Sequence, residues 1–148
     1  MMLSKACTYG IRALILVTQK SNIGNKIGGK DVAKLTDMPE QFVLKILQQL
    51  SKKELIESVK GPRGGFYMKE EQQEVTLYQV VNAIDGDQLM TSCGLGFEEC
   101  SDLKPCPLHS KYKSIKTELV KMLHNTTIKE MSDDVLEGNS FLKNIIKD

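Results

Sequence analysis

Leu55-Ile56-Glu57-Ser58-Val59-Lys60-Gly61-Pro62-Arg63-Gly64-Gly65-Phe66-Tyr67-Met68 is the stretch on which the fold turns. Residues 55–60 read as one strand and 66–68 as a strand returning beside it. Between them Gly61-Pro62-Arg63-Gly64-Gly65 is dense turn chemistry, with Pro presetting φ and Gly admitting conformations closed to other residues. Lys60 and Arg63 make the tip basic. Just upstream, residues 30–35 (K-D-V-A-K-L) and 40–53 read as two short helices joined by the turn Thr36-Asp37-Met38-Pro39. Pro39 suits the first position of the second helix, where its missing N–H is no loss. In that helix Phe42, Val43, Ile46, Leu47 and Leu50 form an apolar stripe, while Gln41, Lys45, Gln48, Gln49 and Lys52 lie off it. Two helices across a four-residue turn match a helix-turn-helix. A β-hairpin directly after one is the wing of a winged helix. The expected fold is therefore mainly α: a winged helix-turn-helix with a two-stranded β wing, plus a long C-terminal dimerisation helix.

The charge distribution agrees. The net charge of +1 over 148 residues conceals a division. Residues 1–70 carry 12 Lys/Arg against 6 Asp/Glu, whereas residues 71–148 carry 8 against 13. A basic N-terminal half is the footprint of a phosphate-binding module. No stretch approaches the roughly 18 apolar residues of a membrane span, so a cytoplasmic protein is expected. Its four cysteines then point to metal or redox chemistry more than to disulfides.

Outward from the wing, residues 4–20 read as a first helix capped by Ser4, with Cys7 as a small buried thiol. Residues 75–86 read as a helix with Thr76 as N-cap and Gly86 as its stop. Residues 108–124 form a second long helix. Leu108, Tyr112, Ile115, Leu119 and Met122 recur there in the a/d rhythm of a helix–helix seam, which favours a partner helix in a dimer. Thr127-Ile128-Lys129-Glu130 is a capping-box signature opening a last helix to about residue 137. The domain reading is 1–86 for the DNA-binding winged helix, 87–107 for a cysteine-rich sensor loop and 108–148 for the dimerisation helix and tail.

The loop reads C-G-L-G-F-E-E-C-S-D-L-K-P-C-P-L-H from Cys93 to His109, with Cys100 and Cys106 between. Glycine and proline around the thiols and the lack of a long apolar run make it a loop. Crowded thiolates select zinc, copper(I) or an iron–sulfur cluster. No Ser/His/Asp or Cys/His constellation, phosphate loop or C-x-x-C is present, which argues against an enzyme. His124, the only other histidine, reads as structural.

In this order the parts resemble the Rrf-type winged-helix transcriptional regulators. Four stretches carry the resemblance: L-S-K-A-C-T-Y-G-I-R-A-L at the N-terminus, F-V-L-K-I-L-Q-Q-L with L-I-E-S-V, the wing K-G-P-R-G-G-F, and the three-cysteine loop. The resemblance implies a homodimer on a palindromic double-stranded operator, with no membrane partner, acting most often as a repressor. Gln41, Phe42 and Lys45 fall where the family's recognition helix meets DNA. Lys60, Arg63 and Gly64 fall on its wing. In cluster-binding members the three loop cysteines are iron ligands, which implies Cys93, Cys100 and Cys106 here, holding a 2Fe–2S or 4Fe–4S cluster. His109 is the expected fourth ligand. Thr8 stands where other members draw a carboxylate from the partner's first helix, and Cys7 of the partner subunit is the alternative. The implied function is a regulator whose operator affinity follows redox, iron–sulfur or nitric oxide status. The alternative keeps the DNA-binding module and replaces the cluster with zinc, a thiol switch or a cysteine-metabolism partner protein.

Overall fold

The computed structural model describes residues 3–92, 95 and 102–142; Cys93 and Cys100, and the tail from 143 onward, lie outside the described residues. The first helix, α1 (Lys5–Asn22), starts where Ser4 Oγ accepts the Cys7 N–H at 3.0 Å. Every residue from Ala13 to Thr18 is buried. A helix apolar on all sides has to be surrounded, and α1 is packed by α2 (Gly29–Thr36), α3 (Glu40–Lys52), α4 (Leu77–Asp85) and α7 (Ile128–Leu136). This run from Ala13 to Thr18 is the centre of the core. Among the described residues no helix is long and apolar enough to cross a membrane.

The helix-turn-helix lies as read. Asp37 takes a left-handed conformation (φ 54°), and Met38 N–H closes onto Ala33 O at 3.0 Å, turning the chain sharply between α2 and α3. Pro39 stands one place earlier than expected: it is the N-cap of α3, with extended ψ of 126°, and Glu40 is the first helical residue. The strand after α3 is shorter than expected because Glu54 and Leu55 still serve the helix end. Glu54 is left-handed (φ 62°) and donates to Ser51 O at 3.0 Å, and Leu55 N–H reaches Leu50 O at 3.1 Å. That pair of bonds is a Schellman closure, here with glutamate where glycine usually sits.

The wing is β1 (Glu57–Val59) paired antiparallel with β2 (Gly65–Tyr67), Ser58 facing Phe66. It is tied to the body on its other edge. Ile27 and Phe66 exchange both backbone bonds, at 3.0 and 2.7 Å. This contact requires glycine beside it: Gly65 has φ +147°, and a Cβ there would sit 2.9 Å from the Ile27 carbonyl.

Two further elements were not visible in the sequence, a 3₁₀ turn at Glu70–Glu74 and the four-residue α5 (Gln88–Thr91). Thr76 caps α4 with a full capping box through Gln79. The sequence reading gave the last helix no packing partner. It returns to the core: Leu77 N–H bonds to Thr126 O at 2.9 Å, Ile128 N–H bonds to Val75 O at 3.0 Å, and Ile128 is fully buried. By contrast α6 (His109–Asn125) shows the body only a narrow face, with His109, Lys116 and Leu123 buried at seven-residue intervals.

Candidate DNA-reading face and sensor-loop anchor

On α3 the buried stripe is Val43, Ile46, Leu47 and Leu50, which turns Gln41 and Lys45 outward. Phe42, counted in the stripe by the sequence pattern, is 42% exposed and stacks edge-on against Tyr9 of α1 at 5.5 Å. It stands at the border between core and reading face, anchored by Tyr9, a residue the sequence reading did not connect to it. Gln49, placed off the stripe by periodicity, is an internal brace: its Nε2 donates to Ala83 O at 3.0 Å, locking α3 to the end of α4. At the wing tip Lys60 and Arg63 are exposed. Gly64 N–H closes the turn onto Gly61 O at 2.9 Å. A Cβ on Gly64 would collide with the Val59 carbonyl, so the turn that presents Arg63 accepts no side chain there.

At the head of α6, His109 N–H donates to Cys106 O at 3.0 Å, so the half-buried thiol and the buried imidazole belong to one turn. His109 Nε2 lies 2.7 Å from Asp102 Oδ1, and Lys113 Nζ reaches the same oxygen at 2.8 Å. Lys113 first, and His109 next, hold the Asp102 carboxyl below the usual carboxylate range. Thiolate and imidazole are both iron and zinc donors, and a carboxylate on the far ring nitrogen is the usual orienting partner of a ligating histidine. Among the described residues no group of three metal-binding side chains gathers; Cys93 and Cys100 lie outside them. Asp102 and Lys113 were missed by sequence reading. The available signal was Lys113's position one helical turn beyond His109.

Cys7 does not suit a ligand's role. It is fully buried, and burial, with the nearby Asp85 charge, pushes its thiol up from 9.0 to about 12. Metals take the thiolate, so the burial that favours the neutral thiol opposes a ligand's role for Cys7. The same shift makes a stability prediction. In the unfolded chain the thiol ionises near 9.0, and in the folded protein only near about 12. Between these values the unfolded state has lost a proton that the folded state keeps, so folding stability falls as pH rises through that window and is complete below it. The urea midpoint should drop from pH 8.5 to about 11 more steeply in the native protein than in Cys7→Ala. His124, read as structural, stacks its ring on Tyr78 at 3.9 Å and 19°.

A basic recognition helix beside a basic, glycine-built wing, both exposed on one small helical body, defines a winged-helix DNA-binding regulator. The chain belongs to the Rrf2 family, described as iron-dependent transcriptional regulators, which matches residues 3–134. A candidate HTH-type transcriptional regulator of Aquifex aeolicus is 29% identical over 133 residues, covering 88% of this chain and 91% of that protein. The HTH-type transcriptional regulator IscR of Pectobacterium atrosepticum is 24% identical over 131 residues, covering 88% and 79%. Among solved structures, CymR, the global cysteine regulator of B. subtilis, superposes with a TM-score of 0.73 at 17% identity, covering 88% of this chain and 95% of that one. The IscR of T. potens gives 0.71 at 18%, covering 95% and 92%. These relatives are transcriptional regulators, not enzymes, and so is this chain.

Proposed function

We propose that the chain is a homodimeric repressor whose operator affinity is set by an iron–sulfur cluster on Cys93, Cys100, Cys106 and His109. One observation carries this reading. Cys106 and His109 belong to the turn that leads into α6, the helix that exposes Ile115 and Met122, with Leu108 exposed at its N-cap. Those three belong to the seam expected between subunits, and an unpaired apolar helix face of this kind favours a partner helix. The donor set fits the group, since cysteine with histidine is an established ligand combination for 2Fe–2S centres. Bound there, a cluster would supply a redox-active centre sensitive to oxidant and nitric oxide.

The chain's own residues convert occupancy into spacing. Cys106 and His109 tie the loop to α6, the His124–Tyr78 stack seats α6 on α4, and Gln49 locks α4 to α3. Movement at the loop therefore has a packed route to the recognition helix. Two such helices must meet half-sites about 34 Å apart, and a change in their spacing shifts affinity by a coupling energy on the order of 1–3 kcal/mol. In this assignment residues 1–86 read DNA, 87–107 sense and 108–148 pair the subunits. Gln41, Phe42 and Lys45 approach the major groove, and Lys60, Arg63 and Gly64 the minor groove or the backbone.

Iron, acid-labile sulfide and zinc measured on protein purified without oxygen test the reading. Iron and sulfide together, with visible absorption bleached by oxidant or nitric oxide, are expected. Zinc without sulfide would move the chain to the second reading, a zinc or thiol switch on the same winged helix. A colourless, metal-free protein after anaerobic reconstitution would leave the thiols or a cysteine-metabolism partner protein as the sensing element.

A further inference from the structure

Lys116 is the one residue of α6 whose burial contradicts its chemistry. It is 8% exposed, its Nζ donates to Ser92 O at 2.8 Å, and it lies 5.8 Å from the Tyr112 ring centroid. Among the described residues no carboxylate pairs with it. An ammonium has three donors, and a single carbonyl with one ring face leaves most of its lost hydration uncompensated. Proteins ordinarily pair such a charge or keep it in water.

Lys116 lines a cleft of about 430 Å³ between α5 and α6, inside the size range of small-ligand sites. Its walls combine the Lys113 and Lys116 ammoniums, the His109 ring, the Thr91 and Thr117 side chains, and the apolar Met90 and Val120. Asp102 at the rim already accepts from His109 and Lys113, so its charge is matched. Lys116 lies seven residues beyond His109, about 10 Å along the helix at 1.5 Å per residue, which separates this end of the cleft from the thiols.

We propose that this cleft binds a small carboxylate anion with a short apolar tail, the head on Lys116 and the tail on Met90 and Val120. The site would be a second input to the regulator. Ser92, whose carbonyl Lys116 holds, directly precedes Cys93, so an anion that takes donors from Lys116 alters the grip on the entrance of the sensor loop.

Calorimetric titration of the full-length protein with sodium butyrate, at ionic strength held constant with sodium chloride, tests it. Saturable binding of one butyrate per chain is expected. The uncharged isostere butyramide should bind at least about tenfold more weakly, equivalent to about 1.4 kcal/mol. Lys116→Met, which keeps the apolar stem, should weaken butyrate by a similar factor, while Lys121→Met, at an exposed position of the same helix, should not. Absence of saturable butyrate binding, equal binding of butyramide, or indifference to Lys116→Met would overturn the proposal. Inorganic phosphate binding as tightly as butyrate would overturn the assignment of a carboxylate with a tail. The butyrate–butyramide comparison on the native chain decides the matter even if Lys116→Met fails to fold.

Discussion

Protein carrying Cys106→Ser, purified without oxygen, is expected to retain about a tenth or less of the native iron and sulfide, while Cys7→Ala retains the full amount. Loss of a residue that merely supports a ligand commonly costs 10–100-fold in metal affinity, and loss of a direct ligand costs at least as much. In the proposed ligand set Cys106 is half-buried and one turn from His109. Cys7 is sealed in the core with its thiol pushed up to about 12, and its removal takes no thiolate away from the loop. His109→Ala should fall with Cys106→Ser, because its ring is buried against the same turn and oriented by Asp102. Colorimetric iron and sulfide assays read all three variants, and circular dichroism checks that each is folded. Equal losses in Cys7→Ala and Cys106→Ser would remove the assignment of the fourth ligand to His109 and return Cys7 to contention.

Arg63→Ala should weaken binding to a duplex selected from a random library by the full-length protein. The expected loss is about 1–3 kcal/mol, or roughly 5- to 150-fold, if its guanidinium enters the minor groove. Lys60→Ala, at the strand end of the same turn, should act more uniformly across sequences and lower the salt slope by about 1. Neither change should move the urea midpoint, because both side chains are exposed and neither takes part in the Glu57–Val59 to Gly65–Tyr67 pairing. Fluorescence anisotropy over a range of salt concentrations measures both quantities. An Arg63→Ala protein that binds the selected duplex like the native chain would mean that the wing does not read DNA.

How much of this could be read beforehand followed the range of the interactions involved. The turn at Thr36–Pro39, the capped helices and the glycine-dense hairpin are local, set by neighbours a few residues apart, and all were recovered within one or two positions. The errors at Pro39 and Leu55 are of the same kind. A helix end can be closed one residue earlier or later, by an extended proline cap or a left-handed glutamate, at nearly equal local cost. The bracing bond of Gln49 and the half-exposure of Phe42 have another origin. Periodicity says which side a residue faces, and cannot say that the carbonyls of Ala83 and Ile84 or the ring of Tyr9 wait there.

By itself, then, the amino-acid order determined the winged helix and its basic tip, and put Cys93, Cys100, Cys106 and His109 close together along the chain, because short-range dihedral preferences and close spacing suffice for each. Only the tertiary structure decided that the wing is stapled to Ile27, that the last helix returns to α1, and that Lys116 is buried with no carboxylate paired to it among the described residues. Each of these depends on which distant surfaces meet and exclude water, and burial, more than sequence, sets what a thiol or an ammonium can do.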